Sequence, residues 1–362
     1  MDTTGQATTR QLKYVQIAEA LKADIQARRL VQNDRLPSFL ELRQRYGAAP
    51  ATASQVYKLL EREGLVARKR GHGVYVGAPR RVGTGIIALA GAQFRNRHRW
   101  PYWDSLYRGI EMATEGAGYE ILLAKSGSNS IQLGKVDGVI ATNGEASLDQ
   151  MPAALPRISL LLSSEGISSV TIDEYHGMRT AINHLTALGH RKIAYLGIDL
   201  SGYASHRRFS AYREGLIEAG IEVDPQRVYL MPTPLSPDGT SFGGKEVMTN
   251  WLRGDWDDLG CTAIVAHNDD IAIGILQAFE EAGVDVPGEV SVVGFDGLET
   301  GDECSPRLTT VEVPLQQIGI VGIEMLIRQI ESGMNSPPAA ASCTLLPTTL
   351  RVRESTAPPC SS

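Results

Sequence analysis

Residues 261–311 read CTAIVAHNDDIAIGILQAFEEAGVDVPGEVSVVGFDGLETGDECSPRLTTV, and this stretch decides the fold. The run Ala263 to Ala266 is apolar without alternation, the pattern of a parallel strand covered on both faces. Asn268 and Asp269 supply N-cap chemistry for a helix whose apolar stripe is Ile271, Ile275 and Phe279. Gly283 ends that helix, Pro287 opens a turn, and Val290 to Phe295 forms a second buried strand. Strand, helix and strand make a right-handed βαβ unit. Asn268 and Asp296 close the two strands at their carboxyl ends, where open α/β sheets bind ligands. Both are candidates for holding a small hydroxylated molecule; the alternative is that Asn268 only caps its helix and Asp296 only shapes a turn.

Length and charge extend the reading. The chain has 362 residues, room for one large two-lobed domain and a small one. No segment approaches a membrane-spanning length. MDTTGQATTR at the start has no apolar core, so a secretory signal is not expected and a cytoplasmic location is. Cys261, Cys304, Cys343 and Cys360 show no CxxC pairing and no His partners at metal spacing, which predicts reduced structural thiols, no metal and no cofactor. Residues 1–80 carry 14 Lys and Arg against 7 Asp and Glu; the remainder carries 21 against 34. A basic head on an acidic body is the layout of a head that meets a polyanion.

The head reads as three helices and a basic hairpin. Ile17, Leu21 and Ile25 form the buried stripe of a helix from Tyr14 to Arg28. Ser38 and Glu41 make a capping box for a second helix that ends near Gly47. Pro50 opens a third, with Ala53, Val56 and Leu60 on one side and Ala51, Gln55, Lys58 and Arg62 on the other. Leu65 to Ala67 and Val74 to Val76 are short strands joined through Arg68, Lys69, Arg70 and His72. This is a winged helix-turn-helix, a small α+β domain whose third helix enters the major groove.

Two resemblances sharpen this. HNDDIAIG, VDVPGEVSVVGFDG, SPRLTTV and LGHRKI (residues 188–193) resemble the LacI/GalR family, which implies a two-lobed α/β sensor like a periplasmic binding protein, with parallel sheets and Rossmann-like lobes. RLPSFLELRQRYG and LLEREGLVARKRGHGVYV resemble the GntR family's winged helix-turn-helix. At Leu40, Pro50 and Ser54 this chain lacks the arginines that family commonly carries. Ser38, Thr52, Ser54, Gln55 and Lys58 are then left to read DNA, with Arg43, Arg45, Arg68, Lys69, Arg70 and His72 attracting phosphates. The alternative is a protein-interaction module with a solvated basic face.

The sensor resemblance assigns Tyr102 and Trp103, Arg208, Asn268 and Asp296 to the ligand. Flat aromatic faces suit a sugar ring or base, and a guanidinium fork suits vicinal hydroxyls. Where the family often places an acid after the strand Ile158 to Leu162, this chain has leucines, and Ser163, Ser164 or Glu165 would have to compensate. His190 reads as structural. The expected organisation is a head over 1–77, a linker over 78–84, a sensor over 85–354 and a disordered tail over 355–362. Within the sensor, lobe 1 takes about 85–171 and 314–338, and lobe 2 about 172–313 and 339–354, including a final strand Cys343 to Leu350. The expected protein is a ligand-responsive transcriptional regulator, a repressor first of all. It binds operator DNA as a homodimer and senses a carbohydrate between its lobes, with no membrane partner. An activator or ligand-independent regulator of the same build stays open, as does a solute-binding protein. No nucleophile, acid–base pair or metal cluster stands at a spacing that predicts an enzyme.

Overall fold

The computed structural model describes residues 4–27, 30–31, 34–63, 65–69, 73–77, 83–91, 94, 101–124, 135–142, 148, 155–232, 240–332 and 341–360. In the head, α1 (Thr4–Gln26), α2 (Phe39–Tyr46) and α3 (Pro50–Arg62) precede the antiparallel strands β1 (Val66–Lys69) and β2 (Gly73–Val76). α1 starts ten residues before the expected Tyr14. The capping box at Ser38 is complete, and Gly47 closes α2 in the left-handed conformation at φ 60°, which a Cβ would strain. Ile17, Leu21, Leu36, Leu42, Val56, Leu60, Val66 and Val74 form one core. Arg35 pairs with Tyr75, adding a third short segment to the wing.

The sensor follows with β3 (Ile86–Ala90), α4 (Pro101–Ala117), β4 (Glu120–Ala124), β5 (Gly138–Thr142), β6 (Arg157–Leu160) and β7 (Ser168–Ile172). α5 (Glu174–Ala187), β8 (Ile193–Ile198), α6 (Tyr203–Glu218), β9 (Val228–Met231), α7 (Thr240–Arg253) and α8 (Trp256–Leu259) come next. β10 (Ala263–Ala266), α9 (Asp269–Ala282), β11 (Ser291–Asp296), β12 (Thr309–Glu312), α10 (Leu315–Ser332), β13 (Cys343–Leu346) and β14 (Thr349–Arg351) complete it. One six-stranded sheet runs β13-β7-β6-β5-β3-β4 and builds the first lobe; the other runs β14-β12-β11-β10-β8-β9 and builds the second. The opening βαβ unit is β10-α9-β11, with Ile271, Ile275 and Phe279 fully buried and Gly283 at φ 73° ending the helix.

Between the sheets the chain passes three times: from β7 to α5, from β12 to α10, and from β13 to β14. The last passage corrects the expected single strand from Cys343 to Leu350. Cys343 to Leu346 pairs with β7 in the first sheet, and Thr349 to Arg351 pairs with β12 in the second. Pro347, which has no N–H for a ladder, stands between them. α4 is fixed against α10 by backbone contact at Gly109, where a Cβ would lie 2.0 Å from the Gln316 carbonyl oxygen. No helix of the described residues is long and apolar enough to cross a membrane.

A second correction concerns the tail, which is tied down through Cys360 rather than disordered. Ser355 is fully buried; its Oγ donates to the Val292 carbonyl at 2.7 Å and accepts from the Thr309 N–H at 2.8 Å. His190 bonds Thr262 Oγ1 at 2.8 Å and the Ala357 carbonyl at 2.9 Å, and His184 meets Thr356 Oγ1 at 3.0 Å. Small polar residues that look like tail composition act here as bridges across the second sheet. Ser355→Ala leaves a buried N–H and a buried carbonyl short of a partner, costing about 2 kcal/mol. Urea unfolding of the sensor should show the loss, and an unchanged midpoint would contradict it.

Candidate functional site

The strands of the second lobe end in a cleft of about 540 Å³, closed from the first lobe by Tyr102, Trp103, Leu161 and Leu162. All five ligand candidates from the sequence line it: Tyr102, Trp103, Arg208, Asn268 and Asp296. Arg208 stands on α6 and is only 4% exposed. Its Nε donates to Glu174 Oε2 at 2.7 Å, Nη1 to the His267 carbonyl at 2.7 Å, and Nη2 to Asp296 Oδ1 at 3.5 Å. Its Cζ sits 3.7 Å from the centroid of the Phe295 ring. One guanidinium thus joins the start of α5, the end of β10, the end of β11 and α6.

Burial sets the protonation of this group. It works against the charge of Arg208, but Glu174 and Asp296 more than offset it, so the guanidinium is held more firmly protonated than usual. Burial raises Asp296 well above the usual carboxylate range, with Arg208 opposing. Tyr102 is raised by burial and by the nearby charges of Asp296 and Glu174, which keeps its phenol neutral. His267 is pushed well down by burial and by Arg208, so its imidazole is neutral.

Asn268 caps α9, with Oδ1 accepting from the Ile271 N–H at 3.0 Å, and so meets the capping expectation. The cap uses the oxygen and leaves the two amide donors to the cleft. Tyr102 and Trp103 sit in the first turn of α4, ring edge to ring face at 4.9 Å, and Trp103 also meets buried Phe94 at 5.9 Å. Next to Asn268 in the second lobe, Asp269 is fully buried, accepting from Thr310 Oγ1 at 2.5 Å and from the Leu298 N–H at 2.7 Å. It fixes the start of α9 to the segments after β11 and so sets the spacing of Asn268 and Asp296.

Sequence reasoning missed Glu174, His267, Ile198 and the turn Gly202 to Ser205, all of which line the cleft. Glu174 at a helix start reads as a surface charge favoured by the dipole; only the fold shows that it faces Arg208. Ser163, Ser164 and Glu165, expected to replace an acid, do not line the cleft; Ser164 pairs with Ile167 in a tight turn.

On the head, Gln55 and Lys58 of α3 are exposed, Ser54 is half-buried, and Arg43 and Arg45 of α2 are exposed. Ser38 Oγ accepts from the Glu41 N–H at 3.3 Å as the cap of α2. Thr52 corrects the sequence list: it is 2% exposed, because it stands four and eight residues before Val56 and Leu60 and shares their buried face. The side chains of Arg68 and Lys69, and Arg70 and His72 altogether, lie outside the described residues.

Comparison with known proteins agrees with this geometry. Residues 13–76 match the model of bacterial regulatory proteins of the gntR family, and residues 182–356 match a periplasmic binding protein-like domain. The chain joins a GntR-type helix-turn-helix head to a periplasmic-binding-protein-like sensor. Catabolite control protein A of Priestia megaterium is 26% identical over 85% of this chain and 91% of its own length. The arabinose metabolism transcriptional repressor of Geobacillus stearothermophilus is 25% identical over 88% of this chain and 91% of its own. Both matches extend into the head, since the sensor alone is too short to supply them. A solved LacI-family transcriptional regulator from Enterococcus faecium with bound ribose superposes with a TM-score of 0.63 at 25% identity, covering 75% of this chain and 99% of that one. The relatives of this head-and-sensor chain are LacI/GalR-family transcriptional regulators.

Asp269 gives this sensor a testable pH signature. Burial raises its carboxyl from the ordinary aspartate value of 3.8 to about 6, so between those values the folded state binds more protons than the unfolded chain. Stability owed to this group therefore rises as pH falls through about 6. Asp269→Asn does not titrate, so the stability gap between wild type and variant should widen by about 1 kcal/mol from pH 7 to pH 5. Paired urea titrations at the two pH values measure it, and a constant or narrowing gap contradicts it.

Proposed function

We propose that this chain is a transcriptional repressor that binds operator DNA as a dimer and is switched by a sugar held between the sensor lobes. The observation that carries the reading is the Arg208 group: a buried guanidinium beside a carboxylate at a strand end, an amide at a helix cap, and two aromatic rings across the cleft. Directional donors and acceptors opposite flat apolar faces suit a hydroxylated ring. The ribose-bound neighbour and the arabinose repressor support the ligand class. On the head, exposed Gln55 and Lys58 face away from the core on the third helix, which supports major-groove reading. Glutamine pairs bidentately with adenine, and lysine meets guanine or phosphate.

The switch is a shift between lobe arrangements, driven by the difference in sugar affinity between them. The three passages between the sheets are where the lobes are joined and where such a change is absorbed. Dimeric heads then fit or miss two half-sites.

The test uses duplex DNA selected by the purified protein from a random pool. Wild type should bind it with strong salt dependence, and Lys58→Ala should weaken binding and lower the log–log salt slope by about one. A pentose and hexose panel should alter DNA binding by wild type. Arg208→Lys, whose single ammonium nitrogen cannot span the acceptors that three guanidinium nitrogens reach, should still bind DNA while needing roughly a hundredfold more sugar. Recovery of no selected sequence would end the operator reading, and an unaltered response in Arg208→Lys would end the role of the cleft.

A further inference from the structure

Among the described residues, two non-glycine residues have left-handed backbone: Leu161 at φ 68° and Asp296 at φ 124°. Both line the cleft, one from each lobe. A bulky side chain in that region is an outlier that persists only where its surroundings enforce it, and such strain gathers at ligand sites. Here the surroundings are visible. The Leu161 N–H donates to the Val170 carbonyl at 2.8 Å, Ser159 Oγ donates to the Leu162 carbonyl at 2.6 Å, and Ser164 pairs with Ile167. The turn after β6 is clamped from both sides, and it presents two leucines to the cleft.

The two walls differ in chemistry. Glu174, Arg208, Asn268, Asp270 and Asp296 all come from the second lobe; the first supplies the aromatic pair and the two leucines. A hydroxyl turned towards Leu161 and Leu162 would lose its water without gaining a partner. On the polar wall lie three acidic side chains and one guanidinium, which already donates to Glu174 and Asp296; with burial holding a proton on Asp296, two acids still stand against one cation. The start of α6 has no side-chain cap and offers about half a positive charge, less than the carboxylate excess.

From this asymmetry we propose that the effector is an uncharged glycoside, its hydroxylated ring on the second lobe and an apolar aglycone against a dry subsite presented by Leu161. The proposal rests on the sugar-effector reading above and deepens it. Leu161 sets specificity by excluding polar substituents, and the acidic polar wall excludes sugar phosphates.

The test takes glucose, galactose, ribose and arabinose, each as the free sugar, the phenyl glycoside and the terminal phosphate, and measures binding to the full-length protein by calorimetry. For the sugar that binds, the phenyl glycoside should bind at least about tenfold tighter than the free form, and the phosphate should show no measurable binding. Leu161→Asn has as many side-chain heavy atoms and tolerates the left-handed backbone, so it should fold and bind DNA like wild type even where its buried amide lowers the melting temperature by a few degrees. In that variant the affinity ratio of phenyl glycoside to free sugar should collapse towards one, a change that a merely structural role for Leu161 does not produce. Free sugar or phosphate binding as well as the phenyl glycoside would overturn the proposal and leave the sugar reading standing, as would an unchanged ratio in Leu161→Asn. Absence of binding by any form of any sugar would remove the sugar reading and this inference with it.

Discussion

A guanidinium buried among four elements is the constraint on which the sensor depends. Stripping Arg208 of water costs several kcal/mol, and only close, well-aimed acceptors compensate for that. Glu174, the His267 carbonyl and Asp296 supply them from the start of α5 and the ends of two strands. The consequence is mutual. Each of those elements must arrive at its place for the charge to be tolerated, so the group reports correct assembly of the second lobe and shapes its ligand wall at the same time. Removing one carboxylate is worse than never having had the pair, because the remaining charge is then buried without its full set of partners.

Behind that group lies a second layer with a different task. Asp269 does not itself line the cleft, yet it binds the start of α9 to Leu298 after β11 and to Thr310 within β12. Asn268 on one side and Asp296 on the other inherit their positions from it. A cap residue, a buried carboxylate and a strained strand end therefore form one unit, and Asp296 keeps its positive φ because its neighbours leave no relaxed alternative. From the opposite end of the same sheet, Ser355 and His190 stitch the tail across β11 and β12. The polar chemistry of the lobe is anchored at both ends of its strands.

Local signals explain what was legible in the sequence. Continuous apolar runs marked β10 and β11, the capping box marked α2, and Gly283 marked the end of α9, because each is a property of a few neighbouring residues. The five cleft residues were found for a mixed reason: Asn268 and Asp296 sit at strand ends that the pattern itself exposes, while Tyr102, Trp103 and Arg208 came through family resemblance. The misses have a common cause. Glu174 looks like a dipole-favoured surface charge, Ser355 looks like tail composition, and the segment from Cys343 looks like one strand. In each case the deciding partner lies far along the chain: Arg208 for Glu174, Val292 and Thr309 for Ser355, β7 and β12 for the divided strand. Thr52 is the exception, since its place on the face of Val56 and Leu60 was available from helix geometry alone.

The uneven chemistry of the cleft also bears on how a ligand could move the lobes. A ligand shifts an equilibrium only by its difference in affinity between the two states. The charged and amide groups all lie on the second lobe, so a ring seated there keeps those contacts whether or not the first lobe is in place, and they contribute affinity without preference. Preference must come from the wall that the other arrangement lacks: Tyr102, Trp103, Leu161 and Leu162. Reversing a population from 1:99 to 99:1 takes about 5.5 kcal/mol. At about 25 cal/mol per Å² this corresponds to roughly 220 Å² of apolar surface removed from water on closing. A single buried aromatic side chain covers about 150–250 Å², so two rings and two leucines are sufficient for the switch. On the proposed sugar reading, the polar wall decides whether the ligand binds, and the apolar wall decides what binding does.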